Sequence, residues 1–272
     1  MEWKRLEKAI NLRDSGRVED ALEELRAMTK CASDKDEKAS LLLSQITCFI
    51  LLGKPDEAEA ILKRVSELGP DNPEVRLNYD QQEAYTLAAQ GKFEQALTKF
   101  DALLRDFPQV TQDKYRFLWE DIQQRRAFAL VDLGRPADAL PLLEQAISYK
   151  CDEQKDEQLI HVYLGTCYYQ LGQYERAKEQ FRHAIALGRN NRLEFEARYR
   201  LAVVHWGEGA LAQAKFHLEH IVGVLGSPNE PEIPRKKVYE LLSKTCRYLG
   251  ESANALLYSE LARLPDGPNS VR

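Results

Sequence analysis

The sequence is poor in cysteine and lacks any cysteine pair of the kind that binds zinc. Its 272 residues include five cysteines, and these lie far apart, at Cys31, Cys48, Cys151, Cys167 and Cys246. An odd number at wide spacing, without a Cys-x-x-Cys pair, does not fit a structural zinc site or the framework of a disulfide-rich secreted domain. We therefore expect no metal site, and thiols that stay reduced in the cytoplasm.

Long apolar runs and an excess of basic charge are also missing. The most apolar stretch, 41–52, has 12 residues, fewer than the roughly 20 that cross a bilayer. The N-terminus is charged throughout and lacks the apolar region of a signal peptide. A formal net charge of -5 gives no general attraction to nucleic acid. We expect a cytoplasmic protein that neither inserts into a membrane nor binds nucleic acid.

The usual signatures of catalysis and of cofactor binding are absent too. The sequence has no P-loop, dinucleotide-binding turn, nucleophile elbow or His-Glu-x-x-His helix. Cys167 and His183 are 16 residues apart, on what we expect to be opposing helices, where a nucleophile and a base are conceivable. His217 and His220 have the spacing of two metal ligands on one helix, but no third ligand is evident. We expect structural roles for all four residues, with no catalysis and no cofactor.

What the sequence does contain is a repeat, in which seven glycines are each followed five residues later by an alanine. The glycines are Gly16, Gly53, Gly91, Gly134, Gly172, Gly209 and Gly250, and the alanines are Ala21, Ala58, Ala96, Ala139, Ala177, Ala214 and Ala255. Mostly apolar residues recur nine and twelve places after each glycine, so that with the alanine they form one stripe at helical spacing. Each copy therefore predicts a helical hairpin, in which one helix ends at the glycine and the next packs back through the alanine.

This pattern resembles the tetratricopeptide repeat. The best copy is the fifth, which matches the signature of that family at Leu164, Gly165, Tyr168, Gly172, Tyr174, Ala177, Phe181 and Ala184. The resemblance implies an all-α fold, an α-solenoid with the right-handed superhelix of about seven helix-turn-helix repeats, in a single domain over 1–272. The predicted repeats are 2–38, 39–75, 76–115, 116–156, 157–193, 194–232 and 233–266.

The resemblance also implies where a ligand binds. Stacked hairpins of this kind form a concave face lined by their first helices, and families with this repeat use it to bind partners. We therefore expect a non-catalytic protein–protein interaction module, an adaptor or scaffold that binds a peptide or protein segment in this groove. The candidate groove residues are Arg125, Tyr163, Tyr169, Tyr199, Arg200, Trp206, Lys244 and Arg247. The aromatic residues would anchor the ligand and the cations would orient its acidic groups, since tyrosine, tryptophan and arginine often dominate binding energy at interfaces.

Alternatives stay open for these residues and for the function. Tyr169 and Trp206 stand at a position where such repeats also use an aromatic residue to pack neighbouring hairpins. Acidic neighbours such as Asp121 and Glu196 can neutralise the arginines in surface pairs that contribute little energy. The second functional hypothesis is a peptide-responsive regulatory sensor whose superhelix changes when the ligand binds.

Two departures from the family pattern concern the partner. The clamp by which co-chaperones of this family grip a terminal carboxylate uses paired asparagines on first helices, whereas only Asn78 lies on that face here. We therefore do not expect that particular ligand. The last predicted helix, 252–264, is apolar on more than one face, although a solenoid normally ends in a helix with a polar outer side. This indicates self-association through the C-terminal helix, or pairing of that helix with a partner.

Overall fold

The chain alternates helices with short turns along its length. The computed structural model describes residues 2–106, 116–148, 154–188, 191–225 and 233–264. In these ranges it has fourteen helices and no strand: α1 (Glu2–Asp14), α2 (Val18–Cys31), α3 (Lys35–Leu51), α4 (Pro55–Leu68), α5 (Pro73–Ala89), α6 (Phe93–Asp106), α7 (Arg116–Asp132), α8 (Pro136–Ser148), α9 (Gln154–Gln170), α10 (Tyr174–Leu187), α11 (Arg192–Gly207), α12 (Leu211–Val222), α13 (Arg235–Tyr248) and α14 (Ser252–Leu261). None of these helices is long and apolar enough to cross a membrane.

Successive helices pack in hairpins, and the hairpins stack into two compact units, 1–133 and 134–272. In the first unit α1 pairs with α2, α3 with α4 and α5 with α6, and α7 packs on α6. In the second unit α8 packs on α9, and the hairpins are α9 with α10, α11 with α12 and α13 with α14. The predicted all-α solenoid is confirmed within each unit. That a single domain extends over the whole of 1–272 stays a prediction.

The repeat alanine lies at the centre of the hairpin contact. Six of the seven alanines are 0% exposed, and Ala255 is 6% exposed. In the fifth hairpin the first helix comes still closer to the second. A Cβ atom added to Gly165 on the first helix would lie 2.5 Å from the ring of Phe181 on the second. Small residues on one helix thus make room for large ones on the other, as close packing of the interior requires. The apolar stripe is buried in every hairpin except at Ser259, which is half-buried.

The repeat glycine ends the first helix of each hairpin. All seven repeat glycines have φ between 67° and 86°, the left-handed region that side chains with a Cβ atom adopt only at a cost. At Gly172 the amide donates to the carbonyl of Tyr169 at 3.0 Å, and the next amide, of Gln173, donates to the carbonyl of Tyr168 at 2.8 Å. This is the Schellman arrangement, which satisfies carbonyls that the helix end leaves without partners.

Polar side chains connect successive hairpins at a recurring position, six residues after the repeat glycine. In three hairpins this residue reaches a residue that adjoins the glycine of the following hairpin. The links join Glu59 to Gln90 at 2.6 Å, Lys178 to Glu208 at 2.9 Å and Lys215 to Glu251 at 2.5 Å. The position therefore marks where one second helix meets the turn of the next hairpin.

Four of the five histidines pack as two stacked pairs, each joining the two helices of one hairpin. The ring of His161 lies 5.2 Å from that of His183, and the rings of His205 and His217 are parallel, with centroids 5.9 Å apart. His220 lies beside the ring of Phe195 at 6.0 Å. In the described part of the chain no group of three or more histidine, cysteine or acidic side chains is placed to hold a metal ion. The rings of His217 and His220 thus take part in packing contacts on α12.

Burial disfavours the charged form of both rings of the stacked pair in the sixth hairpin. Burial lowers the pKa of His217 to about 4, and the neighbouring Arg198 and Arg182 disfavour a further positive charge. Burial also lowers the pKa of His205, and the positive charges of Lys178 and Arg182 lower it further. A proton added to either ring would therefore destabilise the contact between α11 and α12.

We predict that Gly172→Ala lowers the free energy of unfolding by about 1–2 kcal/mol, because alanine adopts the left-handed conformation at a cost. Space is not limiting, since a Cβ atom at Gly172 would meet nothing within 4 Å. The matched control is Gly207→Ala at the end of α11, where the space is equally open and φ is not positive. That change should raise stability by up to about 1 kcal/mol. Urea unfolding of both variants checks this, and changes of the same sign would contradict it.

We predict that stability falls as the pH drops from about 6.5 to about 4, because the unfolded chain then binds a proton at His217 that the folded chain excludes. Above pH 6.5 this loss of stability is absent. Between pH 6.5 and about pH 4 the free energy of unfolding falls by about 1–3 kcal/mol through His217. His217→Gln should make the loss of stability at acid pH shallower. His183→Gln, which removes a ring with a half-exposed side chain, serves as the control. Identical pH dependence in the wild type and in His217→Gln would rule out this contribution.

Candidate binding face of the first helices

Seven of the eight candidate groove residues lie on three first helices of the second unit, and we refer to them as the second-unit face. Tyr163 and Tyr169 are on α9; Tyr199, Arg200 and Trp206 are on α11; Lys244 and Arg247 are on α13. α9 packs against α11, and α11 meets α13 where the rings of Trp206 and Tyr248 lie 6.4 Å apart, edge to face. Each of the seven side chains is at least partly exposed. The second unit therefore brings the predicted residues of three successive hairpins onto neighbouring helices.

The α11 part of this face contains two N–H groups without a hydrogen-bond partner. Arg200 forms an ion pair with Glu196 through Nη2 at 2.8 Å, yet its Nε is buried and unpartnered. The indole Nε1 of Trp206 is likewise buried with no partner among the described residues. Leaving a buried donor unsatisfied costs about 1–3 kcal/mol, so nearly all such groups in folded proteins find an acceptor.

The α13 part of the face adds positive charge. Lys244 and Arg247 are exposed, and neither side chain makes an ion pair or a hydrogen bond with another residue that the structure describes. Tyr248, which follows them, is also exposed and extends the face. It lies outside the predicted set, although it stands on the same helix, directly after Arg247.

Some aromatic residues of the face pack against other residues, and others are exposed. Tyr199 packs on the hydrophobic core of the second unit, and burial raises its pKa, with the nearby Glu196 adding to the shift. The exposed ring of Tyr169 lies 5.7 Å from that of Tyr174 in the same hairpin. Trp206 contacts the following hairpin through Tyr248. Trp206 therefore does serve packing between hairpins, one of the two roles left open by the sequence, and its N–H remains unpartnered.

Arg125, the eighth candidate, belongs to the first unit and lies in a polar network there. Its Nε is 3.4 Å from Asp121 Oδ1, and its guanidinium lies 5.4 Å from the centre of the Tyr85 ring. The hydroxyl of Tyr85 donates to Asp121 Oδ2, and Gln81 donates to the same oxygen at 3.0 Å. The pairing of Arg125 with Asp121 follows from their spacing on α7, whereas Tyr85 and Gln81 come from α5. The network compensates much of the charge of Arg125.

Cys167 and His183 each contact a different residue. Burial raises the pKa of the Cys167 thiol to about 11, and its Sγ donates to the carbonyl of Pro136 at 3.1 Å. A thiol with so high a pKa carries almost no thiolate, the nucleophilic form, at neutral pH. His183 stacks on His161. These contacts favour the structural interpretation of both residues.

Comparisons with known proteins point to one family. Models of the tetratricopeptide repeat match residues 6–78, 49–115 and 130–194. A search among curated proteins finds no match.

Several solved structures share the fold at low sequence identity. The apo form of the quorum sensor NprR from B. thuringiensis has a TM-score of 0.74 at 16% identity, with 95% of this chain and 74% of that chain covered. A signal transduction ATPase with a tetratricopeptide repeat sensor, from Pyrococcus horikoshii, has a TM-score of 0.66 at 17% identity, with coverages of 95% and 41%. A tetratricopeptide repeat protein from Parabacteroides merdae has a TM-score of 0.57 at 19% identity, with coverages of 98% and 93%. At such identities the likeness concerns the fold.

The matched residues extend over more than half of the chain, from α1 to α11. Within them the structure has the hairpins, buried alanines and glycine turns that the repeat implies. The chain belongs to the tetratricopeptide repeat family, whose repeats form protein-interaction modules.

Proposed function

We propose that the protein is a non-catalytic adaptor that binds an acidic peptide segment of a partner protein on the second-unit face. The observation that carries this proposal is the pair of buried, unpartnered N–H groups of Arg200 and Trp206. They lie on the helix next to the two uncompensated cations of α13. Donors and positive charge on neighbouring helices favour a ligand rich in acceptors and negative charge.

The chemistry of the α11 donors defines the kind of group that binds there. An indole N–H and a guanidinium N–H both donate and neither accepts, so the complementary group is a carboxylate or a backbone carbonyl. Both nitrogens are buried, but both side chains are partly exposed. A rotation of these side chains towards an incoming acceptor would satisfy both donors and remove the cost of leaving them unpaired.

The cations of α13 and the aromatic rings supply the rest of the proposed binding energy. Lys244 and Arg247 are exposed, and charge-assisted hydrogen bonds to carboxylates are about twice as strong as neutral ones. The rings of Tyr169 and Tyr248 offer exposed apolar area, which suits contact with the backbone and side chains of a bound segment. Glu196 already pairs with Arg200, so the acidic ligand would be drawn chiefly towards α13.

We predict that Lys244→Ala with Arg247→Ala weakens binding of an acidic peptide by about tenfold or more, since two charge-assisted contacts are lost. The probes are fluorescein-labelled ten-residue peptides rich in glutamate, in glutamine or in lysine, titrated by fluorescence anisotropy. The matched control is Lys63→Ala with Arg64→Ala, which removes two exposed cations from α4 in the first unit. Equal affinity for the three peptides, or an equal loss in both double variants, would sink the proposal.

We predict that Trp206→Phe, which keeps a ring and removes the N–H, weakens binding of the glutamate-rich peptide by about 5–30-fold. The thermal midpoint should change little, because the loss of part of the contact with Tyr248 offsets the removal of an unsatisfied buried donor. Tyr174→Phe provides the control, since Tyr174 is an exposed aromatic residue on a second helix. An unchanged affinity in Trp206→Phe would show that the indole N–H does not bind the peptide.

A regulatory sensor is the second candidate function. It is supported by the likeness of the chain in fold to a quorum sensor and to an ATPase with a repeat sensor. In this case binding would change the dimensions of the whole chain. Solution scattering with and without the glutamate-rich peptide separates the two candidates, because a static adaptor would keep its radius of gyration while a sensor would change it.

A further inference from the structure

Three residues of the second-unit face stand at the same level of the repeat, each of them three positions before a repeat glycine. They are Tyr169 on α9, Trp206 on α11 and Arg247 on α13. α9 packs on α11, and Trp206 meets α13 at the ring of Tyr248. Because equivalent positions of stacked hairpins lie side by side, the three side chains form a row across the ends of three first helices. We call Tyr169, Trp206 and Arg247 the turn-side row.

The α9 end of the turn-side row carries no formal charge. Between residues 158 and 170 this helix contains no acidic residue, lysine or arginine. Burial lowers the pKa of His161, the histidine in this range, so it adds little charge at neutral pH. The ring of Tyr169 is 40% exposed and lies 5.7 Å from the ring of Tyr174, which is 46% exposed. Two exposed rings on an uncharged stretch of helix suit contact with an apolar side chain.

The α13 end of the row is positively charged. Lys237, Lys244 and Arg247 are exposed, and spacings of seven and three residues place them on one side of the helix. Glu240, the acidic residue of α13, lies 4.0 Å from Lys236. None of the three exposed cations forms an ion pair with another residue that the structure describes. This end of the row therefore suits a carboxylate.

α11 lies between these two ends and supplies a neutral donor. The indole N–H of Trp206 is buried and unpartnered, while Glu196 compensates the charge of Arg200 on the same helix. A backbone carbonyl is an acceptor that every residue of a ligand provides. In an extended segment these carbonyls are free to accept, whereas in a helix most of them are already bonded within the helix. The middle of the row therefore suits the backbone of an extended ligand, and its two ends select side chains.

We propose that the ligand is an extended segment with an apolar side chain that binds at Tyr169 and an acidic side chain that binds at Arg247, joined by backbone that crosses Trp206. Neighbouring helices lie about 10 Å apart, so the two ends of the row are about 20 Å apart. About six residues of extended chain span that distance. The spacing between the apolar and the acidic residue thus determines which segments bind. This inference rests on the proposed function, the binding of an acidic segment on the second-unit face.

Peptides of one composition and two spacings test the proposal. Each is fluorescein-labelled and has one leucine and two adjacent glutamates in a background of glycine and serine. The leucine stands six residues from the nearer glutamate in the long-spacing peptide and two residues from it in the short-spacing peptide, and both orders along the chain are made. In one order the long-spacing peptide should bind at least about fivefold more tightly, measured by fluorescence anisotropy. Equal affinity at both spacings in both orders would overturn the proposal.

Variants of the two ends of the row test which side chain makes each contact. Tyr169→Ser should weaken binding of the long-spacing peptide about fivefold or more, and should not affect a peptide with serine in place of leucine. Arg247→Gln should weaken both peptides, because both retain the glutamates. The control is Phe117→Ser, which removes another exposed aromatic ring, on α7 in the first unit, and should change neither affinity. Circular dichroism verifies that all variants are folded. An equal effect of Tyr169→Ser on both peptides would contradict the contact with leucine and overturn the proposal.

The outcomes distinguish this inference from the proposed function. If Lys244→Ala with Arg247→Ala weakens binding of the glutamate-rich peptide, but neither the spacing nor Tyr169→Ser has an effect, the inference is wrong and the proposed function stands. If no peptide that contains glutamate binds, both are wrong.

Discussion

The structure depends on the close approach of two helix backbones at the buried alanine of each hairpin. A larger residue at that position would hold the helices apart and expose the stripe of apolar residues that follows it. In the fifth hairpin the approach is so close that Gly165 has no room for a Cβ atom beside Phe181. Because the glycine turn sets the point at which the chain reverses, turn and alanine together determine which residues meet across the seam.

The same packing determines which side chains of the first helices remain available for binding. One side of α11 enters the hairpin core, where Ala202 and Leu201 are buried. Another side meets α13, where Trp206 packs on Tyr248. Packing on both sides of α11 leaves the N–H groups of Arg200 and Trp206 without an acceptor in the described chain. An unsatisfied buried donor lowers the stability of the fold, and a ligand that accepts a hydrogen bond from it can remove this cost. A helix that packs in the core can therefore also provide a recognition surface.

A stack of hairpins has two open ends, and each must be made compatible with water or with a partner. On α1, Lys4, Lys8 and Asn11 are exposed. At the α14 end leucines remain exposed. The alanine of the hairpin contact is nevertheless retained in the first and last hairpins, at Ala21 and Ala255.

By itself the sequence determined the helical hairpins, their glycine turns and the buried stripe, because these depend on spacings of a few residues along one chain segment. It also placed Arg200 beside Glu196, four residues away on the same helix. Only the tertiary structure decided that Tyr85 joins Asp121 in compensating Arg125, and that His161 stacks on His183. It likewise decided that Trp206 packs on Tyr248 with its N–H unpartnered. These contacts join residues about 20 to 40 positions apart in the sequence. Whether such groups meet depends on the distance between helices, and the local spacing of residues does not encode that distance.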